Sequence, residues 1–498
     1  MTNWKGLKSG TDVRGFGCLH EDDPLYLSDD VVSRIAKAFA AWLRARTGRN
    51  ALTVSVGRDS RVSSPRIDAA VTAALLEAGV SVCACGMAST PAMFMTTVTL
   101  PCDGAVQITA SHHPMDKNGL KFFTPDGGLE GGEIAQLLDM AAQNAFCPAE
   151  TRGSVQTVDF MAQYAAMLRR QIREGIGTGD MPLRGFKIAV DAGNGVGGFY
   201  ARDVLAPLGA DVSGSRFLEP DGTFPNHPAN PEDKGAMAMA SAATVESGAD
   251  LGIIFDTDVD RAGCVDGSGT EINRNRLVAL AAAIALEECP GGTIVTDSVT
   301  SDGLRAFIEA RGGRHLRFKR GYKNVIDKMI ELNAQGIACP LAMETSGHAA
   351  FRTNYNLDDG AYLMTQIVIR MAKMGKDNLF AMLDGLQTPA EEQEVRFRIL
   401  VPDFRAAGEA FIREWTAFAS AQRGYTAAAD NYEGIRFSTD ASAGDGWILA
   451  RLSVHDPVIV INTESDTPDG TRRMLETLYA FAQTVPDLDI SKLTDLLS

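Results

Sequence analysis

Short β-branched and apolar runs recur along this chain, each closed by a turn rich in Gly, Ser or Asp and followed by an Ala-rich stretch. Leu52–Val56, Lys187–Val190, Leu251–Phe255 and Thr293–Thr296 are such runs, and Ile67–Ala78 and Asn275–Glu287 read as helices. This alternation predicts α/β layers, in which a helix laid over paired strands buries the apolar face of each, with ligand groups on loops at the strand ends. The last hundred or so residues read differently. Glu394–Val401 and Trp447–Asn462 read as strands, and Arg405–Arg423 and Thr471–Thr484 as helices, which predicts a smaller α+β domain. A length of 498 residues suits roughly three or four domains. The changes of pattern divide it into 1–155, 156–268, 269–388 and 389–498.

Composition narrows the function classes. The formal net charge of −16 argues against nucleic acid as a partner, since that binding draws on clustered Lys and Arg. A phosphorylated small molecule stays open, because basic side chains and backbone N–H groups can converge in one cleft of an acidic protein. No apolar run approaches the length of a membrane span, and the segment Met1–Gly6 lacks the basic-then-apolar pattern of a secretory signal. The eight cysteines show no paired spacing and read as reduced thiols, so the expected compartment is the cytoplasm.

Three segments carry chemistry. Thr109-Ala110-Ser111-His112-His113-Pro114, followed by Asn118-Gly119-Leu120-Lys121, offers a hydroxyl nucleophile with an adjacent imidazole. Serine needs a proton acceptor, or an oxygen that already carries the transferable group. Lys121 could return over a Gly-permitted turn as acid, base or phosphate partner; a capped surface loop is the bland alternative. Phe255-Asp256-Thr257-Asp258-Val259-Asp260-Arg261 follows an apolar strand, and alternate carboxylates on a tight loop suit Mg²⁺ or Mn²⁺. An EF-hand is excluded because its sixth and twelfth positions are here Arg261 and Gly267. A solvated acidic turn is the alternative. Met343-Glu344-Thr345-Ser346-Gly347-His348 can bond adjacent sugar hydroxyls. Arg14, Arg58, Arg61, Lys319, Arg320 and Arg451 stand in loop contexts that suit phosphate, though each could equally be a solvated charge.

Taken in order, these segments resemble the α-D-phosphohexomutase superfamily, most closely its phosphoglucomutase and phosphomannomutase members. The resemblance rests on Thr109–Pro114 with Asn118–Lys121, on Asp256, Asp258, Asp260 and Arg261, and on Glu344–His348. It implies four domains around a central cleft: three related α/β units, each a mixed sheet sandwiched by helices, and a smaller C-terminal α+β domain that closes over the distal phosphate. It implies Mg²⁺ held by the three Asp and Ser111, with Ser111, His112, Lys121 and Arg261 catalytic. Substrate would be held by Arg14, Glu344, Ser346, His348, Lys319, Arg320, Arg451, Ser453 and His455. The implied reaction interconverts hexose 1-phosphate and hexose 6-phosphate of glucose or mannose through phosphorylated Ser111 and a hexose 1,6-bisphosphate, with a hexose bisphosphate as activator.

The chain departs from the family pattern in places. Met343 stands for a Gly, His113 for an Asn, and Arg320-Gly321-Tyr322 for commoner residues. The distal phosphate loop reads Arg451-Leu452-Ser453-Val454-His455-Asp456-Pro457, with Val454 in place of Gly and Val460 where a second Arg is expected. Weakened phosphate binding is the expectation, and a hexose 1,6-bisphosphate synthase using a sugar bisphosphate donor is the alternative. Two further readings compete. Gly193-Asn194-Gly195-Val196-Gly197-Gly198, with Asp211 beyond, fits a dinucleotide fingerprint; a catalytically silent binding protein on the same fold is the other. Nothing in the sequence speaks to oligomeric state.

Overall fold

The computed structural model describes residues 1–146, 149–177, 179–375, 379–453 and 456–498. It divides into two compact units, residues 1–277 with 346–382, and residues 278–345 with 383–498. No described helix is long and apolar enough to cross a membrane.

The first unit contains a mixed sheet whose spatial order is Lys8–Ser9, Asp12–Phe16, Lys117–Thr124, Gly104–Ile108, Thr53–Arg58, Ser81–Met87 and Val155–Thr157. Thr53–Arg58 lies parallel to both of its neighbours, so connections must cross over through helices such as Ser64–Glu77 and Thr90–Thr99. Gly104–Ile108 is buried at every residue, as expected of a strand covered on both faces. The helix Asp29–Thr47 places Val32, Ile35, Phe39 and Leu43 in the core; Ser28 caps its start and left-handed Gly48 ends it.

A second sheet in this unit is built around Leu251–Phe255, parallel to Ile188–Asp191 and antiparallel to Ala262–Asp266. Gly195, in the turn after Ile188–Asp191, has no room for a Cβ, which would lie 2.6 Å from the carbonyl oxygen of Thr257. Gly197 likewise abuts Phe255. These glycines serve close packing, Gly195 against the Thr257 backbone and Gly197 against the Phe255 ring, which accounts for the fingerprint without a dinucleotide.

In the second unit, Thr293–Thr296 pairs in parallel with Arg314–Arg317 and Leu341–Met343. The antiparallel C-terminal sheet runs in the order Tyr425–Ala427, Ile435–Thr439, Gly446–Leu452, Val458–Ser465, Glu391–Ile399, Leu488–Asp489. Its inner face packs under the helices Phe404–Ser420 and Gly470–Ala482 through Phe397, Trp415, Phe437, Ile448 and Ile461. Its outer face carries Trp447 and Leu449, which cluster with Val299. The run expected as one strand over Trp447–Asn462 is a hairpin of two. Leu251–Phe255 and Thr293–Thr296 form at the bounds read from sequence, because an unbroken apolar run ended by turn residues leaves no ambiguity.

Two site residues lie on elements other than those expected. Lys121 sits within the strand Lys117–Thr124, paired with Gln107, and not beyond a turn. Arg14 is likewise on a strand, opposite Gly119. Gly119 makes that pairing possible, since a Cβ there would meet Val13 O at 2.3 Å. A glycine read from sequence as a turn residue is thus a packing residue inside a strand.

Candidate active site

Ser111 follows the strand Gly104–Ile108 and is 2% exposed, which removes the surface-loop alternative. Its backbone adopts φ of +50°, a left-handed conformation that costs on the order of 1–3 kcal/mol in a non-glycine residue. The conformation is held from outside by Arg61. That guanidinium, completely buried beside Asp59, donates to the carbonyls of Pro114 (2.6 Å), Lys117 (3.0 Å), His113 (2.6 Å) and Ser111. Arg61 is therefore spent on the backbone of this loop and holds no phosphate.

The second loop joins the antiparallel strands Leu251–Phe255 and Ala262–Asp266. Val259, between two of its aspartates, has φ of +66°, an outlier for a β-branched residue. That twist lets Asp256, Asp258 and Asp260 turn inward together, with one carboxylate oxygen from each within 4.8 Å of the others and all three buried. Ser111 Oγ donates to Asp256 Oδ2 at 2.9 Å. Lys121 Nζ donates to Asp260 Oδ2 at 2.5 Å and lies 3.9 Å from Asp258 Oδ2. Thr90 fixes Asp258 twice, by its N–H to the carbonyl (2.9 Å) and its hydroxyl to Oδ2 (2.5 Å).

Three buried carboxylates against the two cations Lys121 and Arg261 leave one negative charge uncompensated. Oδ1 of Asp258 and of Asp260 have no hydrogen-bond partner among the described residues. Burial, reinforced by Asp260 and Asp258, pushes the Asp256 carboxyl well above the usual carboxylate range. Asp258 is likewise raised by burial and by Asp260. Burial also opposes ionisation of Asp260, but Lys121, His348 and Arg261 outweigh it and hold that group below the usual range. An all-oxygen set with two orphaned acceptors and excess negative charge fits a hard divalent cation. The solvated-turn alternative fails because none of the three is at the surface.

Arg261 donates from its N–H to Asp256 Oδ1 (3.2 Å) and from Nε to His348 Nε2 (2.7 Å). His348 Nδ1 faces Asp358 Oδ2 at 2.5 Å. With Arg261 Nε donating to Nε2, Nδ1 is the ring nitrogen that donates, toward Asp358; burial opposes the charged form, but Asp358 raises the His348 pKa above its ordinary value. Both ring nitrogens are thereby committed, one to Arg261 and one to Asp358. His112 Nδ1 stands 3.4 Å from Ser111 Oγ; burial, then the nearby Arg261, pushes its pKa down to about 2. Its ring stacks on His113, at 4.8 Å between centroids. Arg14 pairs with Asp12 (2.7 Å) and donates to Thr109 O (3.3 Å). Ser346 Oγ is buried without a partner among the described residues.

The remaining expected residues belong to the second unit. Met343 closes the strand Leu341–Met343 in the core, which accommodates its replacement of a glycine. Glu344 is 4% exposed and accepts from Gly321 N at 2.7 Å. Arg320 Nε lies 3.7 Å from Asp297 Oδ2, while Lys319 is exposed, its amine 6.0 Å from the Phe318 ring centre. Arg451 is 8% exposed. The hydroxyl of Ser453 accepts from Asp456 N at 3.2 Å, and His455 lies outside the described residues. Val460 pairs directly with Arg451 and is buried within the sheet.

Sequence reasoning missed Thr90, Asp358 and the role of Arg61. Thr90 reads as part of a helix start, Ser89-Thr90-Pro91, and its bond to Asp258 spans 168 positions. Asp358-Asp359-Gly360 was the visible signal for Asp358, the second of these acids capping the helix Gly360–Met374.

Residues 10–145, 169–269 and 273–388 match, in order, the α/β/α domain I, II and III models of phosphoglucomutase/phosphomannomutase. A phosphoglucomutase of Neisseria gonorrhoeae is 30% identical over 465 residues, 93% of this chain and 95% of that one. A phosphomannomutase/phosphoglucomutase of Pseudomonas aeruginosa is 31% identical over 447 residues, 87% of this chain and 89% of that one. Among solved structures, a phosphoglucomutase/phosphomannomutase family protein of Burkholderia thailandensis superposes with a TM-score of 0.80 at 27% identity, covering 98% of this chain and 99% of that one. With successive domain models matched and such relatives spanning nearly its whole length, the chain belongs to the phosphoglucomutase/phosphomannomutase family of α-D-phosphohexomutases and is an enzyme of that kind.

Proposed function

We propose that this enzyme interconverts the 1- and 6-phosphates of glucose, mannose or both, carrying the phosphoryl group on Ser111 between two half-reactions. The observation that carries this reading is the 2.9 Å contact between Ser111 Oγ and Asp256 Oδ2 inside the buried carboxylate trio. In the first half-reaction the Oγ–P bond breaks as a sugar hydroxyl oxygen bonds to phosphorus, and the proton that hydroxyl loses is balanced by protonation of Ser111 Oγ, giving a hexose 1,6-bisphosphate and free Ser111. In the second, the bisphosphate presents its other phosphate to Ser111 Oγ. Lys121 and Arg261 lie where charge on the transferring oxygens can be neutralised without reorganisation. His112 Nδ1, 3.4 Å from Ser111 Oγ, can orient that oxygen by a hydrogen bond. Asp256, Asp258 and Asp260 would hold Mg²⁺, which, when bound, supplies Lewis-acid stabilisation to the phosphoryl oxygens.

In the same reading Arg14, Ser346 and His348 contact substrate beside Ser111, while Glu344 binds sugar hydroxyls. Lys319, Arg320, Arg451 and Ser453 receive the distal phosphate, joined by His455. The four segments 1–155, 156–268, 269–388 and 389–498 are the corresponding domains.

The test is a coupled assay with Mg²⁺ and trace glucose 1,6-bisphosphate, comparing glucose 1-phosphate, mannose 1-phosphate and glucosamine 1-phosphate. Mass spectrometry should find one phosphate on the Ser111 peptide, absent from inactive Ser111→Ala. Chelation should abolish turnover and added Mg²⁺ restore it. A Ser111→Ala protein with full activity ends this reading. Accumulation of hexose 1,6-bisphosphate from a bisphosphate donor, without isomerisation, would identify a synthase instead.

A further inference from the structure

Within the second unit, the outer face of the C-terminal sheet brings together an unusual set of polar groups. Glu433, just before the strand Ile435–Thr439, directs its carboxylate between three donors. Its Oε2 accepts from Ser298 Oγ at 2.7 Å and from Arg320 N at 3.1 Å, and its Oε1 lies 3.8 Å from Arg451 Nη1. The Glu433 side chain is 13% exposed and that of Arg451 9%. The buried Nε of Arg451 has no hydrogen-bond partner among the described residues. Among the described residues one N–H of this largely buried guanidinium is thus unmatched, and its ion pair with Glu433 is long at 3.8 Å. Burial, and next to it the field of Arg320, also depress the Arg451 pKa, so these two cations converge on one small region.

A hydroxyl, a backbone N–H and a guanidinium converging with a second cation form the donor inventory of a phosphoryl group. A carboxylate has two oxygens and fills that inventory poorly, as the 3.8 Å gap to Arg451 shows. We propose that the Glu433 carboxylate is an internal anion held in the distal phosphate pocket, and that a phosphate-bearing ligand binds by displacing it from Ser298, Arg320 N and Arg451. Glu433 thereby sets the affinity of the pocket, since ligand binding includes the loss of the Glu433 contacts and the repulsion of a carboxylate left nearby. The proposal rests on assigning Arg451 to the distal phosphate.

Binding of inorganic phosphate to the full-length protein, measured by titration calorimetry, tests this apart from catalysis. Glu433→Gln keeps the size and the acceptor oxygen but removes the charge. It should bind phosphate about tenfold more tightly than the parent, as expected for deleting a like charge about 4 Å from the ligand in a partly buried site. Glu433→Ala, checked for native circular dichroism, should shift in the same direction, and Arg451→Ala should lose phosphate binding. In turnover assays, the KM for glucose 1-phosphate should fall in Glu433→Gln by a similar factor. Damage to the fold would weaken binding, so a gain is a signature that a merely structural role cannot produce. Unchanged or weaker phosphate binding in both Glu433 variants, or undiminished binding in Arg451→Ala, overturns the proposal. If the calorimetric pattern holds while no variant has mutase activity, the pocket assignment stands and the proposed reaction falls.

Discussion

Single side chains decide how the reaction centre is held. Thr90 contributes no atom to the proposed chemistry, yet its hydroxyl and N–H fix Asp258. Substituting Thr90→Val keeps the shape and removes the hydroxyl bond. Mg²⁺ titration of activity should show an affinity about ten- to a hundredfold weaker, the usual effect of losing a ligand's supporting hydrogen bond. Saturating Mg²⁺ should restore most of the rate; an unaltered Mg²⁺ dependence would refute this role. In the proposed function Arg451 acts at the other phosphate. Arg451→Ala should raise the KM for hexose monophosphate while leaving phosphorylation of Ser111 by a bisphosphate largely intact, and equal loss of both would show that the roles are assigned wrongly.

Elements are set by what their backbones must pass. The loop Ser111–Lys117 hangs on Arg61, whose guanidinium spends its donors on Asp59 and on four carbonyls. Arg61→Ala would leave Asp59 as a buried, uncompensated charge and release the strained Ser111 backbone. Urea unfolding should show a loss of about 3–5 kcal/mol, with phosphate incorporation at Ser111 reduced in the fraction that remains folded. Gly119 plays the matching part within its strand. Gly119→Ala forces a Cβ toward Val13 O and must part the strands Asp12–Phe16 and Lys117–Thr124. About 1–3 kcal/mol should be lost in the same experiment; a neutral effect would mean that the pairing adjusts freely.

At the scale of the whole molecule, buried acids make stability depend on pH. Glu464, on the strand Val458–Ser465 opposite Trp447, is 5% exposed, and burial pushes its carboxyl from 4.5 to about 7 despite the nearby Arg436. Below about pH 4.5 both folded and unfolded states hold the proton and nothing is lost. Between about 4.5 and 7 only the unfolded state ionises, so stability falls as pH rises, by about 3 kcal/mol in total above pH 7. Glu464→Gln should remove that slope and make the protein more stable than its parent at pH 8, but not at pH 4.5, in urea titrations. A parallel pH dependence in the two proteins would exclude Glu464 as its source. Arg436 supports the same face of the sheet: it lies 3.7 Å over the Trp447 ring and donates to Ser298 O and Thr300 O.

Taken by itself, the sequence determined the layered α/β architecture, the distinct C-terminal sheet and the residues proposed for the reaction centre, because these are written in local patterns. Strand–turn–helix alternation needs only a few neighbours to be read, and Asp256, Asp258, Asp260 and Arg261 lie within six consecutive positions. Family membership followed from the same short motifs and their order. Tertiary structure decided what those residues touch. It assigned Arg61 to backbone carbonyls, placed Lys121 on a strand rather than a turn, and gave the glycines after Ile188–Asp191 to packing. It also supplied Thr90, Asp358 and Glu433, whose partners lie 168, 10 and 135 positions away or less. Donor and acceptor types are properties of a residue, but whether a donor meets a ligand, a carbonyl or another side chain depends on which distant segments the fold brings within about 3 Å.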